Sequence, residues 1–547
     1  MSTGITERSK WFFLTFVLVG LLVVVWWLLR PVVAGSTHTA VPNNRSNPQP
    51  YLFDLTGDYL IVPLITVGEE MPLLTGTFGD YTPSGENFAF SGIPDGLGVY
   101  ETTEHYYVYV NHELSANQST PLSSTTNDHI NGARVSVIVF DKTWQVVGGK
   151  NLIDQVLADG EIYTLDLSTG DYLDNQGGVL NMVYGPNFSR FCSGYLAAGG
   201  FHDLNGQPAP IWFAPEEVGP HGRGWAVYPD GNAVALDGLG RYSKEQVYPA
   251  SQYRADNASK TVLISPEDSA DGELYLFVGQ QTADDLNGFT DGDLYVLRVE
   301  DSQGSVFDYE TMPEGVSLTG RWTAIPDAVA LGSGQILSDW VNEPGRSTSF
   351  RRLEDIHEDP NQPGTFYFAT TGHTAAPPGS TTPDNLFGKL HRFTLNPQDP
   401  VGPMDFELVL TGGADTGVSY DNLTVNSAGE VIIQEDRAGG GGVIMSAQER
   451  YARVLAFEPG SGMVTFLFEA NQAVIDPDSA GDYGNWETSG VIEVGVDPST
   501  GKSIYLLTVQ AHSIDDPVYV QGGQLVLVVP VVDRVYLPVW FASQTGT

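Results

Sequence analysis

The chain has 547 residues, with 25 Lys plus Arg against 67 Asp plus Glu and a formal net charge of −42. That excess repels phosphate backbones and anionic lipid headgroups, so nucleic acid and charged membrane surfaces are excluded as partners of the folded part. With 41% hydrophobic residues, 25 Tyr and 25 Phe, the chain is not a disordered one, and its acids point to solubility outside the cell or to multivalent cations such as Ca²⁺.

Residues 11–29 form a largely apolar run, preceded by Arg8 and Lys10 and followed by Arg30. As a helix the run reaches about 28 Å, close to the hydrocarbon thickness of a bilayer. The reading for residues 1–35 is a membrane anchor with its N-terminus inside, or a signal peptide cut near Val32-Val33-Ala34. Either way the rest is exported. No Arg-Arg pair precedes the run, and residues 36–50, polar and rich in Pro and Asn, read as a linker.

From residue 51 onward short runs of β-branched and aromatic residues recur, among them 106–110, 135–140, 224–228, 262–265, 274–278 and 294–299. The later ones are 365–369, 390–395, 406–410, 431–434, 454–457, 464–468, 491–496, 504–509 and 524–529. Gly-, Asp-, Asn- and Pro-rich turns separate them, as in Asp95-Gly96 and Pro229-Asp230-Gly231. No long amphipathic helical pattern interrupts them. So many strands need their edges protected, and radial repetition does that: the predicted fold is an all-β propeller of six or seven blades, six preferred, over residues 51–547. A large sandwich assembly is the alternative, and 531–547 stay unassigned. Gly439-Gly440-Gly441-Gly442 reads as a turn with no helix after it, not as a phosphate cradle.

Several strand-like runs end on ligand-type residues. Residues 106–110 lead into Asn111-His112-Glu113, 431–434 into Glu435-Asp436, and 505–509 into Gln510-Ala511-His512. Asp421-Asn422 and Arg352-Leu353-Glu354-Asp355 precede runs, and Glu487-Thr488-Ser489-Gly490 opens one. In a propeller such ends converge on the central channel, where clustered carboxylates persist because cations neutralise them. The only cysteine, Cys192, sits upstream of Glu216-Glu217 and Glu245. As a thiolate among carboxylates it suits a mixed metal site; otherwise it packs as a small hydrophobe. Asn117, Asn187 and Asn422 begin glycosylation-type triplets.

These residues carry a resemblance to the PhoX-type alkaline phosphatases, secreted β-propellers with an iron–calcium centre. It spans about residues 87–529 and rests on Gly92-Ile93-Pro94-Asp95-Gly96, Asn111-His112-Glu113, Phe191-Cys192-Ser193, Glu216-Glu217 and Gly240-Arg241 to Glu245. It continues through Arg352 to Asp355, Asp421-Asn422, Gln434-Glu435-Asp436, Glu487-Thr488-Ser489-Gly490, Val509-Gln510-Ala511-His512 and Gly522-Gly523-Gln524-Leu525. The resemblance implies Cys192, Glu217 and Glu245 as iron ligands and Glu354 as an acid shared between metals. It makes Arg352 the arginine that grips a substrate phosphate; the plain alternative is an ion-pair arginine. Glu113, Asp421, Glu435 and Asp436 are expected in a Ca²⁺ shell, with Glu216, Asp355, Asn422, Glu487, Gln510 and His512 as outer candidates. Three departures mark a divergent branch. Gln280-Gln281 stands where the family has acids, Tyr184 near its lysine, and the twin-arginine signal is missing. The expected activity is metal-dependent hydrolysis of a phosphorylated small molecule with Ca²⁺ and Fe³⁺. A Ca²⁺-dependent lactonase or phytase, or a non-catalytic Ca²⁺-stabilised propeller binding a partner or glycan, are the other readings.

Overall fold

Period-two alternation decides which way each strand faces. On the strand Ile211–Pro215, Trp212 and Ala214 pack with Tyr107, Tyr109 and Val135, while Ile211 and Phe213 pack with Leu263, Tyr275 and Phe277. One strand thus feeds two cores, one on each face of its sheet, as radially stacked sheets require. The computed structural model describes residues 49–182, 184–254, 259–373, 387–437 and 442–531. These belong to the unit Arg45–Thr547. The expected anchor or signal, nearly all of the linker and residues 532–547 lie outside them. Among the described residues no helix is long and apolar enough to cross a membrane.

The fold is an all-β propeller whose sheets give six blades. The first runs inward from Thr82–Ala89 through Glu70–Thr75, Val146–Asn151, Arg134–Asp141 and His105–His112 to Pro94–Glu101. The second ends inside on Tyr195–Ala197, after Ile211–Pro215 and Gly224–Val227. The third and fourth, with inner strands Tyr248–Pro249 and Leu353–Glu358, share a nine-stranded sheet because their outer strands Leu318–Ala324 and Met404–Thr411 pair edge to edge. The fifth begins at Tyr420–Val425 and the sixth at Glu487–Val496.

The ring closes through early strands. Tyr59–Thr66 pairs antiparallel with Val520–Pro530 on the outside of the sixth blade, and Leu52–Asp54 pairs with Met463–Ala470 in the fifth. Those outer edges, otherwise open to another chain, are covered. At the axis the inner strands approach closely: a Cβ on Gly96 would lie 2.3 Å from the Gly194 nitrogen, and one on Gly490 2.5 Å from the Asp95 oxygen. Among the described residues helices are short; the longest, Gly334–Val341, sits in the connection between the third and fourth blades. One expectation is corrected: a helix, Gly442–Gln448, does follow the glycine run.

Candidate metal centre

Each blade begins at the axis, and its first residues bring one ligand-type side chain there. These are Asp95, Cys192, Glu245, Glu354, Asp421 and Glu487, at or just before the inner strands Pro94–Glu101, Tyr195–Ala197, Tyr248–Pro249, Leu353–Glu358, Tyr420–Val425 and Glu487–Val496. The second strand of each blade runs antiparallel and so returns to the same rim. Glu113 follows His105–His112, Glu217 follows Ile211–Pro215, Asp268 follows Lys260–Pro266 and Asp436 follows Val431–Glu435, while His512 lies in Ser503–Asp516.

A backbone device repeats where the chain enters the inner strand. Ile93, Arg190, Arg352 and Ser419 have φ of 49°, 50°, 55° and 52°, the left-handed region. Each stands two residues before its blade's ligand: Asp95, Cys192, Glu354 and Asp421. Their carbonyls accept the N–H of Glu113, Glu217, Thr371 and Asp436 at 2.8–3.0 Å. The kink therefore fastens the first ligand of a blade to the residue that carries the second, or in the fourth blade to Thr371, whose hydroxyl donates to Glu354. Backbone strain of this kind persists where the surroundings over-determine it, often at functional sites.

A cavity of about 260 Å³ results, lined by Glu113, Arg190, Cys192, Glu217, Glu245, Asp268, Arg352, Glu354, Asp421, Asp436, Arg437, Glu487 and His512. Among the described residues four triads have ligand atoms within 4.8 Å of one another: Cys192–Glu217–Glu245, Glu245–Glu354–Asp421 and Asp421–Asp436–Glu487, all of lining residues, and Asp95–Glu113–Cys192, which reaches past the lining to Asp95. They share corners, so the row is continuous across the mouth. Burial, with neighbouring carboxylates adding to it, pushes Asp95, Glu245, Glu354 and Asp421 well above the usual carboxylate range. Burial likewise raises Glu217 to about 8 and Asp436 to about 7. The Cys192 thiol is pushed up by burial and then by Asp95 and Glu245, and it donates to Asp95 Oδ2 at 3.3 Å. Glu487 is the exception: burial is the largest single influence and raises it, but the hydrogen bond and charge of His512, together with hydrogen bonds from Asp436 and Ser489, outweigh burial and hold it at about 2.

Buried carboxylates in a row fit cations. Both Glu245 oxygens are buried without a hydrogen-bond partner, the condition of ligand atoms awaiting an ion rather than of a self-satisfied network. The thiol at one end and oxygen alone at the other suit a soft or borderline metal and Ca²⁺ respectively.

Arg352, two residues before Glu354, holds Asp268 at 3.2 Å, Glu354 at 3.3 Å and Asp436 at 3.1 Å. Other expected site residues lie elsewhere. Glu435 is locked to Arg450 (2.5 Å) and to the N–H groups of Val418 and Arg453, so it is spent inside the fifth blade and is not in the calcium-type row. Glu216 turns away and accepts from Ser189 N, Arg223 N and Trp225 Nε1. Asn422 and Gln510 donate to Asp95, and Asp355 accepts from Leu423 N, forming a polar layer behind the cavity. The buried amides of Asn187 and Asn422 are engaged with Asp171 and Asp95, leaving Asn117 as the exposed acceptor-type asparagine of the three. Gln281 bonds Thr261 outside the cavity.

Four lining or supporting residues escaped the sequence reading. Asp95 passed as a turn residue, Asp268 hides beside Glu267, and Arg190 and Arg437 adjoin ligand candidates without being singled out. The rule that a blade's second strand ends on an acid finds Asp268 once strand Lys260–Pro266 is known.

Residues 220–490 match the family model described as Alkaline phosphatase PhoX. That region is of the PhoX family. The fold agrees: Pseudomonas fluorescens PhoX, solved in complex with vanadate, a transition state analogue, superposes with a TM-score of 0.56 at 15% identity, covering 89% of this chain and 97% of that one. The Synechocystis apocarotenoid oxygenase is more distant, with a TM-score of 0.32 and 11% identity over 89% of this chain and 94% of that one. No curated protein matches the sequence.

Proposed function

We propose that the chain is an exported, metal-dependent phosphomonoesterase acting on a phosphorylated small molecule. The observation that carries this reading is the corner-sharing row of buried ligand triads with Arg352 beside it, in a region of the PhoX family. The carboxylate triads Glu245–Glu354–Asp421 and Asp421–Asp436–Glu487 would hold Ca²⁺. The two triads that share Cys192 would hold a thiolate-tolerant metal such as Fe³⁺. When bound, these metals supply Lewis acidity and neutralise charge on the phosphoryl oxygens.

The protein's own residues do the rest. Arg352 presents a planar fork to the phosphoryl group once cations take its carboxylate partners. Glu487 and His512, 3.2 Å apart, hold a proton at the cavity wall. Asn422 and Gln510 donate to Asp95 and so hold its carboxyl in place beside Cys192 and Glu113. Against a net charge of −42, cations held by these carboxylates would supply the local positive charge that an anionic substrate needs, beside that of Arg352. Export, by anchor or cleaved signal, is supported by the apolar run 11–29.

The test is turnover of p-nitrophenyl phosphate by the purified full-length chain supplied with Ca²⁺ and iron, alongside Arg352→Ala and Cys192→Ala. Turnover that both variants reduce is expected. Metal binding without turnover in the unaltered chain would leave a Ca²⁺-stabilised binding propeller in its place.

A further inference from the structure

We propose that Arg190 is a second phosphoryl-binding guanidinium, held across two carboxylates until metal at the Cys192 end displaces it. Arg190 is the counterpart of Arg352, two blades away. Both have left-handed φ, 50° and 55°, and both stand two residues before a ligand, Cys192 and Glu354. Both backbone N–H groups donate to the residue after a neighbouring blade's acid, Arg190 to Leu114 and Arg352 to Ser269, at 2.8 and 2.9 Å. Both side chains line the same cavity. The inference rests on the phosphatase reading for the nature of the anion.

The Arg190 Nη2 lies 2.6 Å from Glu113 Oε1 and also on Glu217 Oε2, which Nε reaches at 3.1 Å. Glu113 belongs to the triad with Asp95 and Cys192, and Glu217 to the triad with Cys192 and Glu245. One guanidinium therefore occupies an oxygen of each of two metal-type triads. Its side chain is 43% exposed, against 12% for each carboxylate, so it is the solvent-facing partner and has open cavity to turn into. A cation entering either triad takes the carboxylate oxygens and frees the fork, whose geometry matches a phosphoryl group. Metal and phosphate then strengthen each other's binding, reciprocally.

The experiment uses the full-length chain stripped of metal. Co²⁺ is titrated by its thiolate charge-transfer band, which reads ligation by Cys192, and inorganic phosphate by calorimetry with and without Co²⁺ and Ca²⁺. Arg190→Met is expected to tighten Co²⁺ and weaken phosphate, each about tenfold, the size of one charge-assisted interaction. Arg190→Lys, which keeps the charge but loses the fork, should move both in the same senses by less, and it carries the comparison if Arg190→Met does not fold. Weakening of both ligands together would mean a structural prop, and unchanged phosphate affinity a bystander; either overturns the proposal. Turnover without this coupling removes the inference alone. Coupled binding without turnover removes the phosphatase reading and leaves Arg190 as an anion ligand.

Discussion

Arg450 and Arg352 show how the same kind of contact does different things at different depths. Arg450 and Glu435 are both fully buried, and the carboxylate also accepts from Val418 N and Arg453 N. Removing one partner leaves an unpaired buried charge, so Arg450→Met should lower stability by about 3–5 kcal/mol, read as a fall in thermal midpoint. Arg321, on an exposed pair with Glu300, should cost less than about 1 kcal/mol when replaced by Met. Arg352 is bound to three acids that line a cavity, so its loss should spare the fold and reduce phosphate affinity. From the sequence, Glu435 and Asp436 looked alike as ligands. Strand alternation separates them: Glu435 ends the strand pointing into the blade, while Asp436 follows it and faces the mouth. Nothing in the residue types distinguishes the two.

The inner strand is the element that builds the site. In four of the six blades a kinked entry sets the first ligand, and the antiparallel partner strand returns to the same rim. Close approach between neighbouring inner strands fixes the spacing. Gly490→Ala would drive a methyl to 2.5 Å from the Asp95 oxygen, so a stability loss of about 1–3 kcal/mol is expected, together with weaker metal uptake. Gly460, where an added Cβ would meet nothing within 4 Å, should accept Ala with little change in either. Thermal unfolding with and without Ca²⁺ checks both variants. The strands themselves were legible from β-branched and aromatic runs between turn residues. The repeated kink was not, because Ile93, Arg190, Arg352 and Ser419 share a backbone angle rather than a side-chain type. A repeat shared by four of the six blades exists here in geometry without a repeated motif in the letters.

For the whole molecule, six blades concentrate acids at one mouth, and this makes stability depend on cations and pH. Glu217 and Asp436 have folded pKa values of about 8 and about 7, raised by burial above those of an unfolded chain. Across that interval the folded state binds more protons than the unfolded one, so stability without metal falls as pH rises. In chelator, the thermal midpoint should drop between about pH 5 and pH 8; with excess Ca²⁺ the drop should disappear, since the ion binds the folded carboxylates. A midpoint in chelator that rises over that interval would contradict the charge-crowded mouth.

Composition and the alternation of apolar with turn-forming residues were enough to fix an acidic all-β body, because burial of β-branched and aromatic side chains on two faces leaves few other architectures. Ligand-type residues at strand ends were visible for the same reason: strand ends are marked locally. Which of those residues meet was decided only in three dimensions. Cys192, Glu245 and Asp421 become corners of one row through the closure of a ring by strands hundreds of positions apart, and such pairing leaves no trace in any single stretch of chain.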